Sequence, residues 1–265
     1  MRFRKTFAGA ALCALIALLG CGQKRQSVTL AGSTAFQPFA EKLAGQFMQA
    51  NPEINVTVQG GGSAVGIQST LSQAADIGMA DLVELPEEAR NLVAIEVARD
   101  GIAIVVNPNN PVAGLTSQQV RDIFSGTVGN WKQVGGDDRP ITVVSREAGS
   151  GTRSSFEQIL GNISLTKEAL IQDSNGTIRE TVANDANAVG YLSHGLINDK
   201  IKSVKVDGAD CTTPEIMAGR YKLVRPVYLL TLEPPAGAIK QVLDYILSSE
   251  AQATIDGCGL IPVKH

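Results

Sequence analysis

Apolar residues after position 35 recur at helical spacing. Phe36, Phe39, Ala40, Leu43 and Phe47 fall on one face, which predicts a helix over 36–50. Just before it, Val28-Thr29-Leu30 reads as a short strand, and Ile54-Asn55-Val56-Thr57-Val58 alternates apolar and polar with the period of a half-buried strand. The same reading along the chain predicts strands at 28–31, 54–59, 76–79, 93–98, 101–107, 141–145, 188–192, 203–206 and 224–231. It predicts helices at 36–50, 63–73, 117–125, 151–160, 166–172, 176–184, 212–218, 235–247 and 248–256. Strands alternating with helices argue for α/β layers with largely parallel sheets. There is no internal repeat and no low-complexity segment. The proline-asparagine stretch 107–111 and the segment around 220–226 read as passages between two lobes. Residues 27–104 with 226–265 then form lobe I, and 105–225 form lobe II.

Three strand-to-helix junctions share a chemistry. They are Gly32-Ser33-Thr34-Ala35, Gly60-Gly61-Gly62-Ser63, and the run Arg146-Glu147-Ala148-Gly149-Ser150-Gly151-Thr152. The first turn of a helix leaves backbone N–H groups without partners and carries partial positive charge. Ser150 and Thr152 add hydroxyl donors, and Arg146 adds a planar fork of N–H donors. This combination suits a small oxyanion. Any one such turn reads equally as a flexible loop with a helix cap. Repetition of the turn between strands and helices favours a ligand at the carboxyl ends of the strands.

The N-terminus sets the compartment. Arg2, Arg4 and Lys5 precede the apolar stretch Phe7 to Leu19, which is too short to span a membrane comfortably and fits a secretory signal peptide. Its ending, Leu18-Leu19-Gly20-Cys21, resembles a bacterial lipobox, in which Cys21 becomes the lipidated first residue and residues 21–26 a lipid-anchored linker. Loss of residues 1–20 leaves 245 of the 265 residues and removes three basic and no acidic ones, so the formal charge moves from −3 to −6. An acidic chain with no basic tract is a poor candidate for nucleic acid and gives no general field for an anion. Any anion site must work through local dipoles, hydrogen bonds and the arginine.

Cys13 falls in the leader, so Cys211 and Cys258 remain. In an exported chain they are expected to form a disulfide, with two separate buried thiols as the alternative. No Cys/His/carboxylate grouping has metal-ligand spacing, and no metal or cofactor is expected. There is no Gly-x-Ser-x-Gly elbow or Walker pattern to suggest a hydrolase.

The chain resembles the substrate-binding protein of the bacterial high-affinity phosphate ABC transporter, in its shorter lipoprotein form. The residues that carry the resemblance are Ala31 to Ala35, Gln59 to Ser63, Asp76-Ile77-Gly78-Met79-Ala80-Asp81, Phe124-Ser125-Gly126 with Asn130-Trp131, Arg146 to Thr152, and Ala188-Val189-Gly190-Tyr191. They run in family order over nearly all of the mature chain. The resemblance implies two α/β lobes of the type II periplasmic-binding-protein kind, with inorganic phosphate buried between them. It implies phosphate contacts at Ser33, Thr34, Ala35, Ser63, Asp81, Arg146, Ser150, Gly151 and Thr152. It further implies a membrane permease as partner, no enzymatic activity, and a monomer on the periplasmic or outer side of a membrane, held by lipid on Cys21. Some members carry an acid two residues after the arginine; here Ala148 stands there and Glu147 is adjacent, which leaves open what orients Arg146.

Asp81 has a physical reading of its own. A carboxylate beside a bound anion repels it unless the ligand donates a proton. Phosphate near neutral pH carries one or two protons and sulfate none, so Asp81 is expected to favour phosphate. A turn cap before Pro86 is the alternative role, and Asp76 is the competing acid. A binding protein for sulfate or molybdate, or a secreted phosphatase, are the alternative functions. Trp131 and Phe124 are expected in the core of lobe II, and the acids Glu84 to Glu88 at a solvated helix start.

Overall fold

A computed structural model describes residues 26–263. The leader, Cys21 and most of the proposed linker lie outside the described residues. The first strand, β1 (Gln26–Gly32), pairs in parallel with β2 (Ile54–Gln59), Val28 opposite Val56. Between them runs α1 (Gln37–Ala50), whose Phe39, Ala40, Leu43 and Phe47 are buried as the spacing requires. Burying each large side chain of this kind contributes about 1.5–3 kcal/mol. After α2 (Ser63–Leu71), β3 (Ile77–Ala80) pairs on the other side of β1. Helix α2 lies tightly on these strands because Gly66 has no side chain: a Cβ there would sit 2.5 Å from the Met79 carbonyl oxygen.

The chain then enters one long strand, β4 (Val93–Val106), where two strands were expected. Arg99-Asp100-Gly101 reads as a break in an apolar run, yet Asp100 is buried and the strand continues through it. Lobe II follows as β5 (Gly114–Leu115), α3 (Ser117–Phe124), β6 (Thr142–Arg146), α4 (Gly151–Ile159), β7 (Leu170–Gln172), α5 (Asn175–Asn184), β8 (Ala188–Ser193), β9 (Lys202–Ser203), β10 (Lys205–Val206) and α6 (Thr213–Met217). The chain returns through β11 (Val224–Thr231) to α7 (Gly237–Ile246), α8 (Ser249–Gly257) and β12 (Ile261–Pro262).

The helix expected over 166–172 is absent. The Thr166 hydroxyl accepts from the backbone N–H of Glu168, a local turn that competes with a helix, and Leu170–Gln172 forms an edge strand parallel to β6. The acidic run before residue 90 forms a single short turn of 3₁₀-helix at Glu87–Ala89.

Hydrogen-bonded strands run in the order β2-β1-β3-β11-β4-β8-β6-β7, with β9 and β12 also on β4 and a separate β5–β10 pair. Strand β11 is antiparallel to both β3 and β4, with Arg225 opposite Asp100. The N-terminal half of β4 pairs with β11, and Ile102 to Val106 pair with β8. The side-chain cores divide at the same place. Val97, Ala98, Val227 and Leu229 pack with α1, α7 and α8, whereas Ile102 to Val106 pack with Phe124, Trp131, Phe156 and Tyr191. The two halves of the molecule are thus joined through the β4 and β11 backbones, and the strand-to-helix turns of both halves face each other across a cleft.

Candidate functional site

Arg146 ends β6, and although it is a cation it is 1% exposed. Its backbone N–H reaches the Tyr191 hydroxyl at 3.4 Å, and that hydroxyl is 2.7 Å from the Ser145 hydroxyl. Burial pushes the Tyr191 phenol up to about 12, so it stays protonated. Tyr191 is itself fixed by stacking on Phe156, with ring centres 4.1 Å apart. The question of what orients the guanidinium has a direct answer. Nε donates to Glu147 Oε2 at 2.9 Å and Nη2 to Glu147 Oε1 at 2.8 Å, a bidentate pair from the neighbouring residue. Nη2 also donates to the Asp173 carbonyl at the end of β7 and, across the cleft, to the Thr34 hydroxyl at 3.1 Å. Nη1 is buried and has no partner among the described residues. Buried guanidinium N–H groups are expensive to leave unsatisfied.

The turn after β3 brings the second group together. Ser63, first residue of α2, donates to Asp81 Oδ1 at 2.7 Å and accepts from the Asp81 backbone N–H at 3.1 Å. Thr152, in the first turn of α4, lies 3.5 Å from Asp81 Oδ2. Gly151 belongs here because nothing larger fits: a Cβ would meet the Ser63 hydroxyl at 2.1 Å and the Asp81 carbonyl at 2.7 Å. The lobes touch at this point. The Ala64 N–H donates to the Gly149 carbonyl, and the Ser155 hydroxyl donates to the Asp81 carbonyl at 3.2 Å. Ser33 and Ser150 are engaged as caps: Ser33 Oγ accepts from the Ala35 and Phe36 N–H groups, and Ser150 Oγ accepts from the Arg153 N–H. Their own hydroxyl protons remain available to donate, whereas the Ala35 N–H is directed at Ser33.

Asp81 is not a lone carboxylate. Arg225 Nη2, from β11, lies 2.6 Å from Asp81 Oδ2 and 2.8 Å from Asp100 Oδ2 on β4. Arg225 is fully buried and both acids are 1% exposed. Ser193 of β8 donates to the other Asp100 oxygen at 2.8 Å. Burial pushes the Asp100 carboxyl up from its ordinary range, against the pull of Arg225. Arg225 and Asp100 escaped the sequence reading. The signal is Arg225 as the one charge of β11 and Asp100 beside the apolar run Ile102–Val106 of β4, where Arg99-Asp100 reads as a break.

The competing acid, Asp76, accepts from the Thr29 N–H at 2.7 Å and sits away from this cluster. Phe124 and Trp131 are in the core of lobe II, and the Trp131 indole N–H donates to the Asn187 carbonyl. The expected Cys211–Cys258 bridge is not formed. Both are free thiols: Cys211 is buried in the lobe II core, where burial pushes its thiol up, and Cys258 is half-buried against the core of the other half, accepting from Lys42. No group of His, Cys, Asp and Glu among the described residues could hold a metal ion. No described helix is long and apolar enough to cross a membrane. An open groove of about 780 Å³ between α6 and β12 shares none of the cleft residues.

Two α/β halves joined by paired strands, with polar turns facing across a cleft, define a bilobed solute-binding protein. Residues 21–250 match the family model described as the PBP superfamily domain. The phosphate-binding protein PstS of Bacillus subtilis (strain 168) is 34% identical over 242 residues, covering 89% of this chain and 81% of that one. A protein from Clostridium perfringens assigned as a phosphate ABC transporter substrate-binding protein, solved with bound phosphate, superposes with a TM-score of 0.88 at 38% identity over 90% of this chain and 100% of that one. An ABC-type phosphate transport receptor from Vibrio cholerae gives 0.75 at 37% identity over 89% and 100%. The chain belongs to the PBP superfamily and, within it, to the family of PstS phosphate-binding proteins.

Proposed function

We propose that this protein is an extracytoplasmic receptor that binds inorganic phosphate between its lobes and delivers it to the membrane permease of an ABC transporter. The observation that carries the reading is Arg146: a buried cation, oriented by Glu147, whose Nη2 meets Thr34 of the opposite lobe and whose Nη1 has no partner among the described residues. Ser33, Thr34 and Ser63 would serve the ligand from lobe I, with the Ala35 N–H committed to Ser33, and Ser150, Gly151 and Thr152 with Arg146 from lobe II. Asp81 would accept a hydrogen bond from a protonated ligand oxygen. The lobes, expected as residues 27–104 with 226–265 and 105–225, would part within β4 at Gly101–Ile102 and at the start of β11, and close about these two strands by hinge motion of the kind described for periplasmic binding proteins. The protein acts by binding and release, as a monomer and without catalysis. Lipid on Cys21 holds it at the membrane after removal of residues 1–20.

Calorimetric titration of the purified protein with phosphate and sulfate tests the reading. Saturable phosphate binding with much weaker sulfate binding is expected, and arsenate, protonated like phosphate, should compete. Sulfate binding as tightly as phosphate would refute it. Intact mass of membrane-extracted protein should show acyl chains on a chain beginning at Cys21; an unmodified N-terminus would refute the anchor.

A further inference from the structure

Asp81 can select a protonated anion only if it is itself ionised and cannot turn away. We propose that Arg225 is the positioning residue that secures both conditions, so that anion selectivity depends on a side chain in the strand joining the lobes. The inference rests on the phosphate reading.

The geometry is specific. Asp81 Oδ1 accepts from the Ser63 hydroxyl at 2.7 Å, and Oδ2 accepts from the Thr152 hydroxyl at 3.5 Å and is ion-paired with Arg225 Nη2 at 2.6 Å, so both oxygens are held from different strands and turns. An ionised carboxylate only accepts hydrogen bonds, whereas a protonated one also donates. Arg225 in turn cannot follow a moving ligand. It stands directly opposite Asp100 in the β11–β4 ladder, and the same Nη2 is held by Asp100 Oδ2 at 2.8 Å. Asp100 is fixed by Ser193, whose backbone N–H donates to Asn175 Oδ1; Asn175 lies 3.5 Å from the Thr34 hydroxyl that also receives Arg146. The two guanidiniums are therefore linked through a chain of hydrogen bonds, buried from Arg225 to Asn175 and partly buried at Thr34, that passes through both joining strands.

Charge makes the arrangement matter. The groups facing Asp81 are Arg225 and Asp100; those facing Asp100 also include His194 and Cys211, and Arg146 with Glu147 lies on the lobe II side. Two guanidiniums thus stand against three carboxylates. An anion without a proton finds no surplus of positive charge there. Were Arg225 removed, Asp81 would be a buried carboxylate without a cation, and such groups neutralise by taking up a proton. Asp81 would then donate to the ligand, and the penalty against sulfate would vanish.

The test is a double-mutant cycle read by phosphate and sulfate titration. Arg225→Gln removes the charge that reaches both carboxylates through Nη2 and leaves an amide donor in its place, whereas Arg225→Lys keeps a cation. Arg225→Gln should narrow the phosphate-to-sulfate affinity ratio by at least about tenfold, and Arg225→Lys should hold the ratio closer to the parent's. In an Asp81→Asn background Arg225→Gln should change the ratio by less than about twofold, because its target is gone. If Arg225→Gln does not fold, Arg225→Met with Asp100→Asn removes the cation and its second carboxylate together, and the same narrowing is expected. An Arg225→Gln ratio equal to the parent's, or an equal effect with and without Asp81, would overturn the proposal. A parent that binds neither anion overturns the phosphate reading itself; a parent that binds phosphate while the variants keep its ratio overturns this inference alone.

Discussion

Removing the Arg146 side chain should weaken phosphate binding far more than it disturbs the fold. Three of the five guanidinium N–H groups are committed within the protein: Nε and one Nη2 proton to Glu147, the other Nη2 proton shared between Thr34 and the Asp173 carbonyl. The two on Nη1 have no partner among the described residues. A hydrogen bond to a charged group contributes about 1.5–3 kcal/mol. One or two such bonds from Nη1 to phosphate therefore amount to about 1.5–6 kcal/mol, or a dissociation constant weaker by roughly tenfold to ten-thousandfold in Arg146→Ala. Glu147, 31% exposed on its side chain, can be solvated once its partner is gone, so the thermal midpoint without phosphate should fall only modestly. Arg146→Lys should recover part of the loss, since an ammonium supplies charge but no fork. Calorimetric titration gives the constants, and thermal unfolding without ligand gives the control. A constant within twofold of the parent's, in a folded variant, would show that Nη1 does not meet the ligand.

Three further outcomes follow from the same geometry. Gly151→Ala should abolish tight phosphate binding, because the new Cβ would collide with Ser63 and Asp81 where the lobes meet; titration with tight binding retained would refute this. Glu147→Gln keeps one acceptor but loses the bidentate charge pair, so phosphate affinity should drop by about three- to tenfold, less than in Arg146→Ala; an equal or larger loss would mean that Glu147 does more than orient the arginine. His194 is half-buried, and burial holds its pKa below the ordinary 6.5, partly opposed by Asp100. The unfolded chain therefore takes up the proton first, so the His194 contribution is complete above about pH 6.5 and is lost as pH falls toward the folded value. Urea midpoints of His194→Gln should decline less between about pH 7 and pH 5 than the parent's; identical slopes would refute the assignment.

What the sequence disclosed depended on whether the signal was local. The α1 stripe and the alternation of β2 are written in residue spacing, and both elements form where that spacing puts them. The three polar turns were visible for the same reason. The β7 segment was not, because Leu170 and Ile171 owe their conformation to pairing with β6, a partner that periodicity cannot see. Long-range charge pairing hid the continuity of β4: Asp100 reads as a break until Arg225 is placed opposite it. The partner of Arg146 was a choice between neighbours that only side-chain geometry decides. For Cys211 and Cys258, loop length and compartment favoured a bridge, but a disulfide needs Cα atoms within about 7 Å and suitably directed Cβ vectors, and neither is encoded in spacing.

Strand β11 has a consequence for how this chain is made. It lies between β3 and β4 in the sheet but is synthesised after the whole of lobe II. As the polypeptide emerges from its N-terminus, residues 102–223 can gather their core while the earlier strands still wait for the insertion that completes them. Until residue 231 arrives, β3 and β4 present open edges, which are templates for pairing with other chains. The lobe begun first is therefore the one finished last, and a chain cut short before Val224 would carry the polar strand-to-helix turns on a sheet with a strand missing from its middle.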